Sequence, residues 1–282
     1  MTAPTDVPTV HLRTGTGTIP MPQLGFGVFK VPADEVVAAV GKALEVGYRS
    51  IDTAKLYANE EGVGQAVRDS GIPREDLFVT TKVWNDEQGY DETLRAFDAS
   101  SQRLGMDVVD LYLIHWPCPG QDTYVDTWKA LLKLREDGRI RAAGVCNFQP
   151  KHLHRLIDET GEAPAINQVE LNPSFQQEEV RAFDAEHDIL TEAWAPLAQG
   201  RDVLQDETIA QIGKRLGRTP AQVILRWHLQ LGNVVIPKSV TPSRIEENFA
   251  LFDFELTDDD MQAIAGLDRG DRHGPDPDTM GA

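Results

Sequence analysis

Short apolar runs alternate along this chain with segments whose apolar residues recur at helical spacing. Apolar runs without polar alternation are typical of parallel strands that are buried on both faces. We predict eight such strands, which are QLGFGVF, RSID, LFVTTKVW, VVDLYLIHW, RAAGVCNF, AINQVEL, ILTEAWAPL and VVIPKSV. The predicted helices cover residues 34–46, 59–69, 92–104, 124–136, 151–159, 178–187, 206–216, 221–231 and 244–250.

Eight strand-helix units without a break in composition favour an α/β fold of the closed (β/α)8, or TIM-barrel, type. The length of 282 residues is close to the roughly 250 residues of a typical barrel of this kind. Ahead of the first strand, VHLRTG and TGTIPMP flank Gly15 and Gly17, which predicts a β-hairpin that closes the bottom of the barrel. We expect one domain over residues 1–282, with a polar surface tail over residues 269–282.

The composition excludes several classes of protein. The formal net charge of −18 makes the chain a poor partner for nucleic acid. It contains no apolar run long enough for a membrane span, and its start does not resemble a secretory signal. Two cysteines are too few for a disulfide framework, so a reducing cytoplasm is expected.

Four polar residues lie at or just past the ends of three consecutive predicted strands: Asp52, Tyr57, Lys82 and His115. The C-terminal ends of neighbouring parallel strands meet at one mouth, so these side chains are expected to gather there. A tyrosine has an unperturbed pKa of about 10. A nearby cation would lower the pKa of Tyr57, and a carboxylate would hold that cation in place. This grouping predicts reduction of a carbonyl group, with Tyr57 as the proton donor. Taken singly, each of the four also fits an ordinary structural role.

The glycines of this chain do not indicate a Rossmann-type dinucleotide site, because Gly25 and Gly27 in LGFG lack the third glycine of that fingerprint. The last predicted loop instead offers Lys238, Ser239 and Arg244 within a strongly acidic chain. Lysine can pair with a phosphate, and arginine can form two parallel hydrogen bonds to one. The other interpretation of this loop is a solvated helix start.

Five segments together resemble the aldo-keto reductase family: YRSIDTAKLYANEEGVG, LYLIHWP, GVCNF, NQVELNP and IPKSVTPSRIEEN. The resemblance extends from the first hairpin to about residue 267, and its pattern is closest to the bacterial 2,5-diketo-D-gluconate reductase branch. It implies an NADPH-dependent barrel enzyme that reduces small aldehydes, ketones, dicarbonyls or keto-sugars. Many relatives are monomers, and the same is expected here.

The resemblance also assigns roles. Tyr57 corresponds to the family's proton donor, Lys82 and Asp52 to the pair that tunes it, and His115 to the residue that orients the substrate carbonyl. Hydride would come from the nicotinamide, and His115 would be neutral with a ring N–H directed inward. The NADP(H) contacts implied by the resemblance are Asn147, Gln168, Trp194, Leu197, Gln199, Ile236, Lys238, Ser239, Val240, Arg244 and Asn248.

Within that set, Asn147 and Gln168 match the residues that bind the nicotinamide carboxamide, and Trp194 matches the aromatic residue stacked on the nicotinamide ring. Leu197 and Gln199 would lie along the pyrophosphate. Arg244, with Lys238, would bind the adenosine 2′-phosphate, which favours NADP over NAD, and Asn248 would contact adenine. Trp84, Asn85 and Trp116 are expected to rim the substrate pocket together with His115.

Four positions depart from the family pattern. Cys146 stands where serine is usual, and we expect a small side chain with a weaker hydrogen bond. Inert packing and a redox-sensitive thiol are both open for it. Asn172 replaces a common histidine, and we expect this replacement to affect the site only indirectly. Ala58 replaces a glycine of this branch, and we expect no harm from that change. Lys55 replaces a common alanine. It could lower the pKa of Tyr57 further, bind a substrate carboxylate or point into solvent.

Two other functions stay open at this stage. A reductase-like barrel could bind NADPH and serve mainly as a sensing or regulatory subunit. A metal-dependent lyase or hydrolase could also use a barrel, but no metal-ligand set is expected. His152 and His154 are two residues apart, which places them about 200° apart around a helix, and H-E-x-x-H and G-x-S-x-G motifs are absent from the sequence.

Overall fold

The computed structural model describes residues 7–15 and 17–281. Strands β1 (Thr9–Thr14) and β2 (Gly17–Pro22) form an antiparallel hairpin. Leu12 and Met21 on its inner face are fully buried, and they belong to one apolar cluster that includes Phe78, Ile166 and Val234, the first residues of three barrel strands. The predicted hairpin at the bottom of the barrel is thus confirmed. Thr16 in its turn lies outside the described residues, as do residues 1–6 and 282 of the expected domain.

Eight parallel strands follow in chain order, each paired with the next. They are β3 (Phe26–Gly27), β4 (Ser50–Asp52), β5 (Phe78–Val83), β6 (Val109–Ile114), β7 (Ile140–Cys146), β8 (Ile166–Glu170), β9 (Leu190–Trp194) and β10 (Val234–Val235). A parallel bridge between Leu24 and Val235 joins the first strand to the last. The sheet therefore closes on itself, and the predicted (β/α)8 fold is confirmed.

The seam between the first and last strands depends on glycine. The Gly25 N–H donates to the Val235 carbonyl at 2.9 Å, and the Gly27 N–H donates to the Pro237 carbonyl at 3.1 Å. A Cβ on Gly27 would lie 3.1 Å from the carbonyl oxygen of Ile236, which is closer than ordinary packing allows. These glycines allow the close approach of the two backbones.

The helices form the outer layer of the barrel. They are α1 (Val36–Val46), α2 (Glu60–Asp69), α3 (Tyr90–Leu104), α4 (Tyr124–Glu136), α5 (Pro150–Thr160), α6 (Glu178–Glu186), α7 (Glu207–Leu216), α8 (Pro220–Gln230), α9 (Pro242–Phe249) and α10 (Asp258–Ala265). The first nine agree with the predicted ranges to within two residues. The sequence interpretation missed α10, whose first turn is closed by a capping box of Thr257 and Asp260. In the part of the chain that the structure describes, no helix could cross a membrane.

The described part of the tail lies along the C-terminal rim of the barrel. The backbone N–H groups of Arg269 and Asp271 donate to the Ser174 carbonyl, each at 3.1 Å. Those of His273 and Gly274 donate to the two oxygens of Glu170, at 2.9 and 2.8 Å. Most residues of the described tail are exposed, and its backbone is hydrogen-bonded to Ser174 and to Glu170 at the end of β8.

Candidate active site

The register of the strands brings the four predicted polar residues to one edge of the barrel. Asp52 ends β4 and pairs with Thr80, so Lys82 lies two residues further along β5. His115 follows directly after β6, and Tyr57 lies in a 3-10 turn that follows β4. Strand register and the positions of these residues at or just past strand ends therefore place all four side chains at the C-terminal mouth of the barrel.

A buried ammonium lies at the centre of this group. Lys82 is fully buried, and its Nζ donates to both Asp52 oxygens at 2.7 and 2.8 Å and to the Thr53 carbonyl at 2.9 Å. The Tyr57 hydroxyl is 3.4 Å from the same Nζ. Burying an ammonium is costly unless it is paired and hydrogen-bonded, and Asp52 meets both needs.

The protonation states follow from burial and from these neighbours. Burial lowers the pKa of Lys82, but the charges of Asp52 and Tyr57 raise it, and the net pKa lies above its ordinary value. Burial raises the pKa of Tyr57 well above 10, and the attraction of Lys82 offsets only part of that increase. The expectation of a lowered pKa for Tyr57 is therefore wrong, because desolvation of the phenolate outweighs the cation. Tyr57 is a protonated phenol at neutral pH.

His115 is an uncharged imidazole beside Tyr57. Burial, followed by the charge of Lys82, holds the pKa of His115 well below its usual range. The His115 ring lies edge-on to the Tyr57 ring, with centroids 5.8 Å apart. Its Nδ1 is buried and has no hydrogen-bond partner among residues 7–15 and 17–281.

Aromatic side chains surround this pair. The Trp84 ring packs edge-on against His115 with centroids 5.0 Å apart, while Trp116 is largely buried. Asn85 is also buried. Phe29 lies 5.0 Å from the Tyr57 ring and is 43% exposed. The sequence interpretation missed Phe29, for which the only signal was its place just past the first strand.

Asn147 and Gln168 are hydrogen-bonded into the same group. Asn147 adopts a left-handed backbone with φ of 66°, donates from Nδ2 to the His115 carbonyl at 3.0 Å and accepts from Trp194 Nε1 at 2.9 Å. Gln168 Nε2 donates to Asp52 Oδ2 at 2.9 Å. Both residues are therefore connected to the Asp52–His115 side of the mouth.

Gln168 also contacts a carboxyl group that sequence reasoning missed. Its Nε2 donates to Glu192 Oε2 at 2.8 Å. Glu192 lies fully buried on β9. The sequence signal that could have identified Glu192 is that it is the one ionisable residue in the mostly apolar run ILTEAWAPL.

The basic loop before α9 lies on the outer part of the mouth. Lys238, Val240 and Arg244 are exposed, and the Ser239 hydroxyl accepts from the Thr241 N–H at 3.1 Å. Ile236 and Asn248 are buried. The acids of α9 have other partners, because Glu246 pairs with Lys42 at 2.7 Å and Glu247 accepts from Thr219 at 2.7 Å. Lys238 in this loop and Arg244 in the first turn of α9 thus keep their charge available.

The loop after β9 contains unusual backbone geometry. Ala195, Ala198 and Gln199 have φ values of 48°, 47° and 57°. Such left-handed conformations cost non-glycine residues about 1–3 kcal/mol each and cluster at functional sites. Leu197, within the same loop, is partly buried.

The four departures from the family pattern also have defined surroundings. The buried Cys146 thiol donates to Gln168 Oε1 at 3.6 Å, and burial raises its pKa well above the usual range. Asn172 Oδ1 accepts from the N–H and hydroxyl of Ser174 at 3.0 and 2.8 Å. Ala58 adopts a left-handed backbone with φ of 54°, which explains why glycine suits this position.

Lys55 forms ion pairs with the loop after β5. Its Nζ lies 3.2 Å from Asp86 Oδ1 and 3.4 Å from Glu87 Oε2. The three roles considered for Lys55 from the sequence did not include ion pairs with Asp86 and Glu87. Spacing along the sequence does not reveal such partners.

Comparisons with known proteins identify the family of this chain. The model of the Aldo/keto reductase family matches residues 15–269. Methylglyoxal reductase DkgA of Salmonella typhimurium is 54% identical over 275 residues, covering 97% of this chain and 98% of the relative. A Gox0644 mutant solved in complex with NADPH has 52% identity and a TM-score of 0.91, covering 96% of this chain and 98% of its own. A putative 2,5-diketo-D-gluconic acid reductase B has 38% identity and a TM-score of 0.87, covering 94% of each chain. The resemblance inferred from the motifs is confirmed, and the chain belongs to the aldo/keto reductase family.

Proposed function

We propose that this protein reduces small aldehydes and ketones to alcohols with NADPH, and that dicarbonyls and keto-sugars are among its substrates. Its family is one of NADP-dependent oxidoreductases. A relative named methylglyoxal reductase and the NADPH complex of Gox0644 support this choice of substrate and cofactor. The observation that carries the proposal is the buried Lys82 ammonium, which Asp52 holds 3.4 Å from the Tyr57 hydroxyl.

In this proposal, Tyr57 gives its proton to the carbonyl oxygen of the substrate. An alkoxide is a stronger base than a phenolate, so this transfer is favourable even though burial raises the pKa of Tyr57. Lys82 stabilises the phenolate as it forms, and Asp52 keeps the ammonium in position. NADPH, when bound, supplies the hydride that goes to the carbonyl carbon.

His115 would orient the carbonyl group. A neutral imidazole can donate a ring N–H to the carbonyl oxygen, and together with the Tyr57 hydroxyl it would form an oxyanion hole. The low pKa of His115 ensures that this donor is uncharged near neutral pH. Apolar surfaces of Trp84, Trp116 and Phe29 would hold a small, partly apolar substrate in place.

The residues around the mouth fit NADPH. Lys238 and Arg244 are exposed cations whose neighbouring acids have other partners, which suits an adenosine 2′-phosphate. Trp194 offers an aromatic surface for the nicotinamide, and Asn147 and Gln168 offer amides for its carboxamide. We assign the remaining cofactor contacts to Leu197, Gln199, Ile236, Ser239, Val240 and Asn248.

The decisive experiment measures NADPH oxidation with methylglyoxal and with an aromatic aldehyde, and repeats it with NADH. Turnover with NADPH and at least one of these carbonyls is the expected result. Tight NADPH binding without turnover across a broad carbonyl panel would refute the reductase and favour a sensing subunit.

Arg244 provides a test of cofactor choice. Arg244→Ala is expected to raise the Kd for NADPH by about ten- to a hundredfold, because it removes a charge-assisted hydrogen bond to the 2′-phosphate. The Kd for NADH should stay nearly constant, since NADH lacks that phosphate. Fluorescence titration of both cofactors measures these constants, with Lys214→Ala as a control that removes an exposed cation on α7. Equal losses for the two cofactors would remove Arg244 from the 2′-phosphate site.

Lys55 provides a test of the proton donor's surroundings. Because Lys55 is paired with Asp86 and Glu87, Lys55→Ala is expected to change kcat by less than about twofold. Steady-state kinetics with methylglyoxal measures the effect. A loss of about tenfold or more would indicate that the Lys55 charge acts on Tyr57 or on the substrate.

A further inference from the structure

Glu192 is a buried carboxyl group that the proposed reaction does not use. It lies on β9 opposite Gln168 of β8 on one side and Val234 of β10 on the other. Its Oε2 accepts from Gln168 Nε2 at 2.8 Å. Its Oε1 has no hydrogen-bond partner in the described part of the chain. A buried carboxyl with a single neutral donor is costly to ionise.

Glu192 is nonetheless connected to the catalytic group. The same Gln168 Nε2 that binds Glu192 also donates to Asp52 Oδ2 at 2.9 Å. Asp52 in turn holds Lys82, and Lys82 reaches Tyr57. One amide thus bridges two carboxyl groups, and its carbonyl oxygen remains on the side of the Cys146 thiol.

The charges that face Glu192 offer it no cation of its own. Asp52 from β4, Lys82 from β5 and Cys146 from β7 are the titratable groups around it, while Gln168 and Val234 are uncharged. Lys82 is already paired with Asp52. Burial, together with the Asp52 charge, raises the pKa of Glu192 to about 8, against the smaller effects of Gln168 and Lys82.

We propose that Glu192 is a positioning residue that acts through Gln168 on the Asp52–Lys82 pair, and that a negative charge on Glu192 slows carbonyl reduction. A second negative charge beside the Asp52–Lys82 pair would oppose formation of the phenolate on Tyr57. The protonated form instead leaves that pair electrically balanced, while Gln168 is held from both sides. This inference rests on the proposed reductase function.

The neighbouring groups leave Glu192 as the only one of this set that titrates between pH 7 and 9. Burial and Lys82 keep the pKa of His115 low, whereas burial raises the pKa values of Tyr57 and Cys146 above their ordinary ones. Lys82 also has a raised pKa. A decline in rate within this window that Glu192→Gln abolishes therefore reports on Glu192.

The first test is the pH dependence of kcat for methylglyoxal reduction at saturating NADPH. The wild-type kcat is expected to fall by about tenfold between pH 7 and pH 9, in proportion to the protonated fraction of Glu192. Glu192→Gln keeps the acceptor for Gln168 but cannot ionise, so its kcat should change by less than about twofold over this range. Glu192→Met should show the same flat profile and also raise the KM for NADPH, because Gln168 loses a partner. The exposed Glu179→Gln on α6 should follow the wild type.

The second test does not depend on activity. A group whose pKa is raised by folding stabilises the native state fully below its unfolded pKa and loses that contribution as pH rises through the folded value. The Tm of the wild type minus that of Glu192→Gln should therefore fall between about pH 5 and pH 9. Asp184, whose pKa burial raises to about 7, titrates in both proteins and cancels in the difference.

The outcomes separate the two proposals. An active enzyme whose variants keep the alkaline decline, or a Tm difference that does not change with pH, overturns the role of Glu192 and leaves the reductase function intact. A wild-type protein that reduces no carbonyl overturns the reductase function itself.

Discussion

Replacing Tyr57 by phenylalanine is expected to lower kcat for carbonyl reduction by about 10²- to 10⁴-fold, the range typical of a lost general acid. The substitution removes the hydroxyl that lies 3.4 Å from Lys82 Nζ and leaves the ring packed against Phe29 and His115. Cofactor binding should change little, since no NADPH contact is assigned to Tyr57. Stopped-flow measurement of NADPH oxidation, with NADPH titration in parallel, tests both statements.

Tyr112→Phe is the matched control for this variant. Tyr112 is fully buried on β6, and its hydroxyl has no hydrogen-bond partner among the described residues. Removing that hydroxyl should leave kcat close to the wild-type value. If Tyr57→Phe retained most of the turnover, another group would have to protonate the alkoxide, and the assignment of Tyr57 would be wrong.

Gly64→Ala is expected to lower the free energy of unfolding by about 3 kcal/mol, at the upper end of the usual cost of overpacking. Gly64 lies on α2 where this helix meets the end of α3. A Cβ there would be 2.0 Å from the carbonyl oxygen of Leu104, and backbone cannot move aside as a flexible side chain can. The same carbonyl accepts a hydrogen bond from Arg68 at 3.0 Å, so separating the helices would also weaken this bond. Denaturant titration measures the loss.

Gly41→Ala makes the same chemical change on α1, where a Cβ would meet no atom within 4 Å. It should raise the free energy of unfolding by roughly 0.5–1 kcal/mol, because alanine loses less backbone entropy in a helix than glycine does. If both variants shifted stability equally, contact between α2 and α3 would not explain the presence of Gly64.

The positions of strands and helices were predictable from periodicity alone. Buried parallel strands and amphipathic helices differ in the spacing of their apolar residues along the sequence. Nine helices accordingly lie within two residues of their predicted ranges. The missed helix α10 shows the limit of this signal. Only Asp260 and Ile264 of α10 are buried, so a capping box and three acidic residues define it more than an apolar face does.

The residues of the candidate site were also predictable, because Asp52, Tyr57, Lys82 and His115 are polar residues at or just past strand ends. Their meeting follows from the rule that parallel strands end at one edge of a barrel. Phe29 obeys the same rule, but a single aromatic residue carries no chemical signature that would select it.

The amino-acid sequence by itself determined the barrel, the family and the set of polar residues at its mouth, because periodicity and motifs are local properties of the chain. Only the tertiary structure decided the direction of the pKa shift of Tyr57, the partners of Lys55 and the isolation of Glu192. Desolvation and the distances between charges depend on groups far apart in sequence, and these two effects set the protonation of the site.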